Sequence, residues 1–267
     1  MLKPQMFLGS SVEGLKLAKA IQNNLAHEVD TTLWTQGVFG ISNTTLASLL
    51  MQVQKTDFAT FVLSPDDLIT MRKRDFKIAR DNVVLELGLF AGALGSKRVF
   101  FVTPDDPEFH LPSDLIGITA ATYNEASHGG NLEAALGLPS NRIGTAITQL
   151  IQPGPEHTNL NGRWRGVWHC NRSTYPPVNE FTAAITHIGD TVRSTFVSNG
   201  ETYPLRGTIH RGNFITGIWG SPDAGAAYFG PFQLVIQPNG KTLNGRWSGF
   251  TRDNDVDSGI FRWDREL

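Results

Sequence analysis

Apolar positions in the first 150 residues come in two alternating rhythms. Short continuous runs, PQMFLGSS at 4–11, DFATFVLS at 57–64 and RVFFVT at 98–103, have the length and composition of buried strands. A further strand is expected from Glu28 to Thr35. Between these runs the period lengthens: Leu15, Ala18, Ile21 and Leu25 share one helical face. A second helix from about Asn43 to Lys55, capped by Ser42, carries Leu46, Leu49, Leu50 and Val53. A last amphipathic helix is expected near Asn141 to Ile151. Strands alternating with helices predict a flavodoxin-like parallel sheet covered on both faces, with its site at the carboxyl ends of the strands. Those ends carry Gly9, Ser10 and Ser11, then Trp34 to Phe39, then Asp66 and Asp67.

The run from Arg80 to Gly95, RDNVVLELGLFAGALG, holds a single carboxylate, Glu86, within an apolar helical stretch. Asp81 and Asn82 can cap its start and Gly95 can stop it. With no polar face, this helix is expected to be buried, and Gly88 and Gly92 to permit close backbone packing. Glu86 has two readings: a first-turn carboxylate answering the helix dipole, or a partly dry carboxylate at a cleft rim, placed to meet developing positive charge. The excursion MRKRDFKIAR at 71–80, with six charges in ten residues, reads as a solvated loop, a lid or an assembly surface. Residues 104–118, rich in Pro and Asp, read as a loop.

At IQPGPEHTN, 151–159, periodicity gives way to Pro, Gly and polar residues, which sets an expected linker at 153–159 between domains 1–152 and 160–267. Beyond it lie eight short alternating stretches: GRWRGVWHC, FTAAITHI, TVRSTFVS, PLRGTIH, NFITGIW, PFQLVIQ, TLNGRWSGF and SGIFRWDR. LNGRWRG at 160–166 echoes LNGRWSG at 243–249, as the meeting ends of an up-and-down eight-stranded barrel would. Such a barrel is just wide enough to be filled or to hold one small ligand. Trp164, Trp168, Trp219, Trp247 and Trp263 either plug it or face that ligand.

Composition narrows the chemistry. The chain has 267 residues, a net charge of −2 and 40% hydrophobic content, ordinary for a globular chain of one or two domains and too little positive charge for a nucleic-acid polymer surface. Ten of the eleven cations after residue 152 are Arg, Lys241 being the exception, and Arg suits bidentate phosphate contacts and stacking. The start, MLKPQMFLGSS, lacks the apolar core of a secretory signal, and no apolar run is long enough to span a membrane, so a cytoplasmic, membrane-free protein is expected. A lone cysteine, Cys170, allows no internal disulfide. The histidines at 27, 110, 128, 157, 169, 187 and 210 have no ligand spacing, so no metal is expected.

The run at 80–88 resembles the RxNVxxExG signature of bacterial TIR-like domains in cyclic-nucleotide-activated anti-phage effectors of the CBASS and Pycsar type. Arg80, Asn82, Val83, Glu86 and Gly88 match it in place, and MFLGSS at 6–11, DFATFVLSPDD at 57–67 and LPSDLIGIT at 111–119 match in order. The resemblance covers about the first 150 residues. It implies that Glu86 cleaves NAD+, which is then substrate and not cofactor, and that Ser10 and Ser11 line the cleft. It also implies that Trp34 and Phe39 stack on a ring, that Asp114 holds polar groups, and that assembly into homo-oligomers or filaments completes the sites. Asp66, at the end of the third strand, joins the substrate-binding set. The barrel half is similar to the small β-barrel receptor of such effectors, with GxWxG near both ends and a terminal GxFxW at Gly259, Phe261 and Trp263; its G-x-W openings also resemble lipocalins. A cyclic nucleotide activator is therefore implied, without the residues that bind it. The alternative is a non-catalytic TIR scaffold whose barrel carries a lipid or another small apolar ligand. An Arg-lined barrel interior would favour the first reading, an apolar cavity the second. The residues do not distinguish ADP-ribose from a cyclic product.

Overall fold

The computed structural model describes residues 3–36, 45–115, 119–151, 158–170, 176–220, 229–250 and 255–266. The chain divides into two compact units, one of residues 3–149 and one containing everything from Leu150 onward.

In the first unit, β1 (Gln5–Ser10), β2 (Asp30–Leu33), β3 (Phe58–Val62), β6 (Val99–Pro104) and β7 (Thr119–Tyr123) form one parallel sheet in the order β2-β1-β3-β6-β7. Both faces of β3 and most of β6 are buried, which is why these strands read as unbroken apolar runs rather than alternations. The helices are α1 (Leu15–Asn24), α2 (Thr45–Lys55), α3 (Asp81–Leu94), a short α4 (Leu132–Ala135) and α5 (Gly137–Ile151). Phe90 of α3 stacks on Phe7 of β1 at 4.7 Å and meets Phe61 of β3 edge-on at 5.5 Å, so α3 lies against the middle of the sheet.

Several expectations change. Residues 71–80 are no solvated loop: β4 (Asp67–Met71) and β5 (Arg74–Ile78) form an antiparallel hairpin. Arg72 and Lys73 turn it, at φ 51° and 66°, the left-handed pair that a two-residue hairpin turn demands. The Pro- and Asp-rich stretch that follows β6 is stapled to the hairpin, since the Lys77 amide donates to the Glu108 carbonyl and the His110 amide to the Lys77 carbonyl (3.0 and 2.8 Å). The Lys77 ammonium also pairs with Asp106 at 2.9 Å. Strand β7 was not expected, its TAATY run being short and small. Helix α5 begins at Gly137, because Pro139 falls in its first turn, where a missing N–H costs nothing.

Helix α3 is not buried all round. Val83, Glu86, Leu87, Phe90 and Leu94 face the core, but Leu85 is 68% exposed, and a Cβ on Gly88 or Gly92 would meet nothing within 4 Å. The two glycines permit no close packing here; they lie on an open apolar face. Leu46 and Leu50 of α2 are likewise exposed, leaving Leu49 and Val53 as the buried stripe.

The second unit is a closed antiparallel barrel of eight strands, as its sequence rhythm predicts. The strands are β8 (Gly162–His169), β9 (Val178–Ile188), β10 (Thr191–Ser198), β11 (Glu201–His210), β12 (Phe214–Gly220), β13 (Phe229–Ile236), β14 (Thr242–Phe250) and β15 (Val256–Arg265). β15 closes the ring against β8, pairing Trp263 with Gly166 and Arg265 with Trp164. Inward rings lie over inward glycines: a Cβ on Gly166 would sit 2.5 Å from the Phe181 ring, and one on Gly249 2.4 Å from Trp219. Trp164, Phe181, Phe196, Phe232, Phe261 and Trp263 fill the interior. The tryptophans therefore plug the barrel, although Trp168 stays half-buried at one end. The other end is sealed where the chain enters: Leu160 is fully buried, and its carbonyl accepts from the Trp164 indole at 2.9 Å.

Candidate active site

The sheet order brings the ends of β2, β1 and β3 side by side, and a chain of hydrogen bonds runs across them. The Trp34 indole N–H donates to Ser10 Oγ (3.0 Å), and Ser10 Oγ donates to the Ser11 carbonyl (2.9 Å). Ser11 Oγ lies 3.1 Å from Ser64 Oγ, and Ser64 Oγ donates to Asp66 Oδ2 (3.0 Å). The Gly14 amide donates to Ser11 Oγ (3.0 Å). Gly14 is glycine for space: a Cβ there would stand 2.9 Å from Ser64 Oγ and 3.3 Å from Ser11 Oγ. Four of the residues singled out in the sequence, Ser10, Ser11, Trp34 and Asp66, thus belong to one network.

Arg80 anchors the start of α3 to the same edge. Its guanidinium donates to Glu13 at 2.7 Å, just beyond β1, and stands 3.7 Å from Asp67 at the foot of the hairpin. As exposed pairs these contribute little stability, but they fix where the helix begins. In the first turn the side-chain Oδ1 atoms of Asp81 and Asn82 accept from the amides of Asn82 and Val83. One turn further on, Glu86 is 9% exposed. It makes no hydrogen bond or ion pair with the described residues, and burial pushes its carboxyl from 4.5 up to about 7. A helix-dipole partner held in water would not be driven this way.

Tyr123, at the end of β7, was not singled out in the sequence. It is buried, and burial together with the charges of Glu125 and Asp66 pushes its phenol up to about 12, so it stays protonated. Ser64 was also missed, although it stands directly before the Pro-Asp-Asp that the sequence did flag. Asp114 lies on an exposed turn, Ser113–Leu115, and is not part of the hydrogen-bonded chain. Phe39 lies outside the described residues. Among the described residues no cluster of His, Cys, Asp or Glu has the arrangement of a metal site.

Residues 5–125 match a family model described as the TIR domain of the CAP12/Pycsar effector proteins. The first unit is TIR-like, similar to the TIR domain of these effectors. The chain is 42% identical over 146 residues to the Pycsar effector protein PaPycTIR of Pseudomonas aeruginosa, a match covering 54% of this chain and 47% of that one. It is 35% identical over 153 residues to CD-NTase-associated protein 12 of Flavobacterium daejeonense, covering 57% and 48%. To the Pycsar effector protein BcPycTIR of Burkholderia cepacia it is 39% identical over 122 residues, covering 45% and 40%. The chain spans about half the length of the curated relatives it matches, and the family match ends at residue 125, before the barrel begins.

In the barrel, Arg163, Arg165, Arg246 and Arg262 are exposed, no described Arg is fully buried, and the half-buried Arg265 lies over the Trp164 ring at the end where the chain enters. Asp257 is the charged residue buried at the end opposite Leu160, where it accepts from the Cys170 thiol at 2.9 Å. The interior is thus neither Arg-lined nor an empty apolar cup. An apolar hollow of about 340 Å³ lies on the outer wall between Ile218, Phe229, Pro231, Phe250 and Val256.

Proposed function

We propose that this protein is an NAD+ glycohydrolase effector of bacterial anti-phage defence, in which Glu86 is the catalytic carboxylate and the barrel responds to a cyclic nucleotide. The observation that carries the reading is a buried carboxylate, without a partner among the described residues and with its pKa raised to about 7, on a helix pinned to the carboxyl edge of the sheet. Perturbed groups of this kind concentrate at functional sites. The names of the relatives, Pycsar effectors and CD-NTase-associated proteins, support the defence role and the nucleotide trigger.

The chemistry suits one carboxylate. Nicotinamide in NAD+ is a cationic pyridinium that leaves neutral, so no general acid is needed. The bond from ribose C1′ to the pyridinium nitrogen breaks, with its electron pair going to that nitrogen. Water then forms the new C1′–O bond and gives up a proton, yielding ADP-ribose. As the old bond stretches, C1′ and the ring oxygen take on positive charge. A fixed carboxylate in a dry setting stabilises that charge more than the ground state, and only such differential interaction accelerates the step. Desolvation of Glu86 is thus both the cause of its raised pKa and the source of its effect.

Activation through assembly of a second copy is supported by the exposed apolar face of Leu85, Gly88 and Gly92 on α3 and of Leu46 and Leu50 on α2. Among the described residues, no helix is long and apolar enough to cross a membrane; action in the cytoplasm is part of the proposal. The ring-filled interior has room for neither a lipid nor a nucleotide and does not separate this reading from the rival, a TIR scaffold with a lipid-carrying barrel; the buried Glu86 is what favours the enzyme.

The test is Glu86→Gln, which keeps the shape and removes the charge. Full-length protein is mixed with cyclic mono-, di- and trinucleotides while NAD+ is followed. Wild type is expected to consume NAD+ with one of them, and the variant to be slower by about a hundredfold or more. A folded variant that works within a few-fold of wild type refutes the assignment.

A further inference from the structure

The direction of every hydrogen bond in the chain from Trp34 to Asp66 follows from elementary bookkeeping. A serine hydroxyl has one proton to give and two lone pairs, whereas a carboxylate only accepts. Ser64 therefore spends its proton on Asp66. It must then be the acceptor in its 3.1 Å contact with Ser11, so the Ser11 proton is spent on Ser64. Ser11 takes the Gly14 amide on one lone pair and keeps the other. Ser10 gives its proton to the Ser11 carbonyl, takes the Trp34 indole N–H, and also keeps one lone pair.

Asp66 thus sets the polarity of the whole row. Ser10, Ser11 and Ser64 are each more than nine-tenths buried and carry no free O–H, so toward a ligand they present acceptors alone. Glu86 adds a carboxylate without a described partner on the helix beside them. We infer that the Ser11–Ser64–Asp66 relay makes this edge of the site a hydrogen-bond-accepting wall that selects a pyridine ring bearing an N–H donor, the carboxamide of nicotinamide. The inference rests on the NAD+ reading above and deepens it: Ser64 and Asp66 act as positioning residues that choose among pyridine nucleotides, through Ser11, rather than as catalysts.

Two small neutral probes isolate the effect. Nicotinamide and 3-acetylpyridine share the ring, the carbonyl and the charge state, and differ in NH2 against CH3. Their affinities for the full chain are compared by ligand-observed NMR, in wild type, Ser64→Ala and Asp66→Asn, with a thermal melt of each variant as the fold control. Wild type is expected to favour nicotinamide at least fivefold. Ser64→Ala leaves the net charge untouched but frees the Ser11 proton, so the ratio should fall below twofold; Asp66→Asn removes the charge but keeps an oxygen that accepts from Ser64, so the preference should persist. Equal binding of the probes by wild type overturns the inference. So does failure of either to bind, or a ratio that Asp66→Asn changes and Ser64→Ala does not, since that would make charge and not proton direction the cause. NAD+ breakdown by wild type and Glu86→Gln, run on the same preparations, reports on the parent reading separately: NAD+ can be cleaved through Glu86 while the probe ratio stays at one.

Discussion

If Glu86 is kept for chemistry, it should cost the fold stability, and the cost should depend on pH in a definite direction. Burial holds its carboxyl at about 7 against an ordinary 4.5. Between those values the folded protein keeps a proton that the unfolded chain releases, so this group's contribution to stability falls as pH rises through the window and is fully unfavourable above pH 7. The full displacement corresponds to about 3 kcal/mol, and solvent screening at the wetted edge of the carboxylate leaves about 1–2 kcal/mol. Glu86→Gln removes the charge while keeping the side-chain volume. At pH 8 the variant should be more stable than wild type by that amount, raising the melting temperature of the TIR transition by about 3–6 °C. At pH 5 most of the gain should disappear, because wild type is then also neutral at this position when folded. Calorimetry of the full chain at the two pH values reads the difference directly. A gain of equal size at both, or a loss at pH 8, would mean that the Glu86 carboxylate is not desolvated and that the physical basis of the catalytic assignment is wrong.

The same ionisation should govern rate: NAD+ loss by activated wild type is expected to rise with pH through about 7 and then level off, and a flat profile from pH 5 to 9 would speak against a charged Glu86 as the working form. Gly88→Ala puts a methyl into open space on a helix, so melting should rise by the equivalent of about 1 kcal/mol; a fall would show that this face is already packed. Gly230→Ala would bring a Cβ within 1.9 Å of the Ser248 carbonyl oxygen on the neighbouring strand, and a loss of about 3 kcal/mol is expected in the barrel transition, followed by near-ultraviolet circular dichroism of its tryptophans.

The barrel was legible because its physics is local. In β9 and β13 each inward residue is flanked by outward ones, and the alternation can be counted along the chain without knowing which strands meet. Three strands of the parallel sheet, β1, β3 and β6, were legible for a related reason, being runs buried on both faces. The hairpin at Asp67–Ile78 was not: half of its positions are charged, and the face shared by Ile69, Met71, Phe76 and Ile78 is split by the turn into two pairs too short to show as an alternation. Glu86 stood out by contrast with its neighbours. Ser64 did not, because its meaning depends on the parallel register of β1 with β3, which brings it to Ser11, 53 positions away. The glycines of α3 were misread for a plainer reason: helical spacing shows that two residues share a face but not whether anything lies opposite.

The closure of the barrel has a bearing on how such a protein is made. β8 is held on one side by β9 and on the other by β15, so the ring is incomplete until Arg265 has been synthesised. The parallel sheet, by contrast, needs nothing beyond Tyr123, and its covering helices end at Ile151. At ordinary translation speeds, roughly 6–20 s separate the two events on each ribosome. During that interval the nascent chain carries a finished carboxylate edge and no finished barrel, and a premature stop in the last strands makes the interval permanent. A barrel that worked by holding the first unit inactive would leave every such chain unrestrained. A first unit that is inert until the completed barrel takes up its signal is safe throughout, and the order of strands along this chain is compatible with that arrangement from the first molecule made.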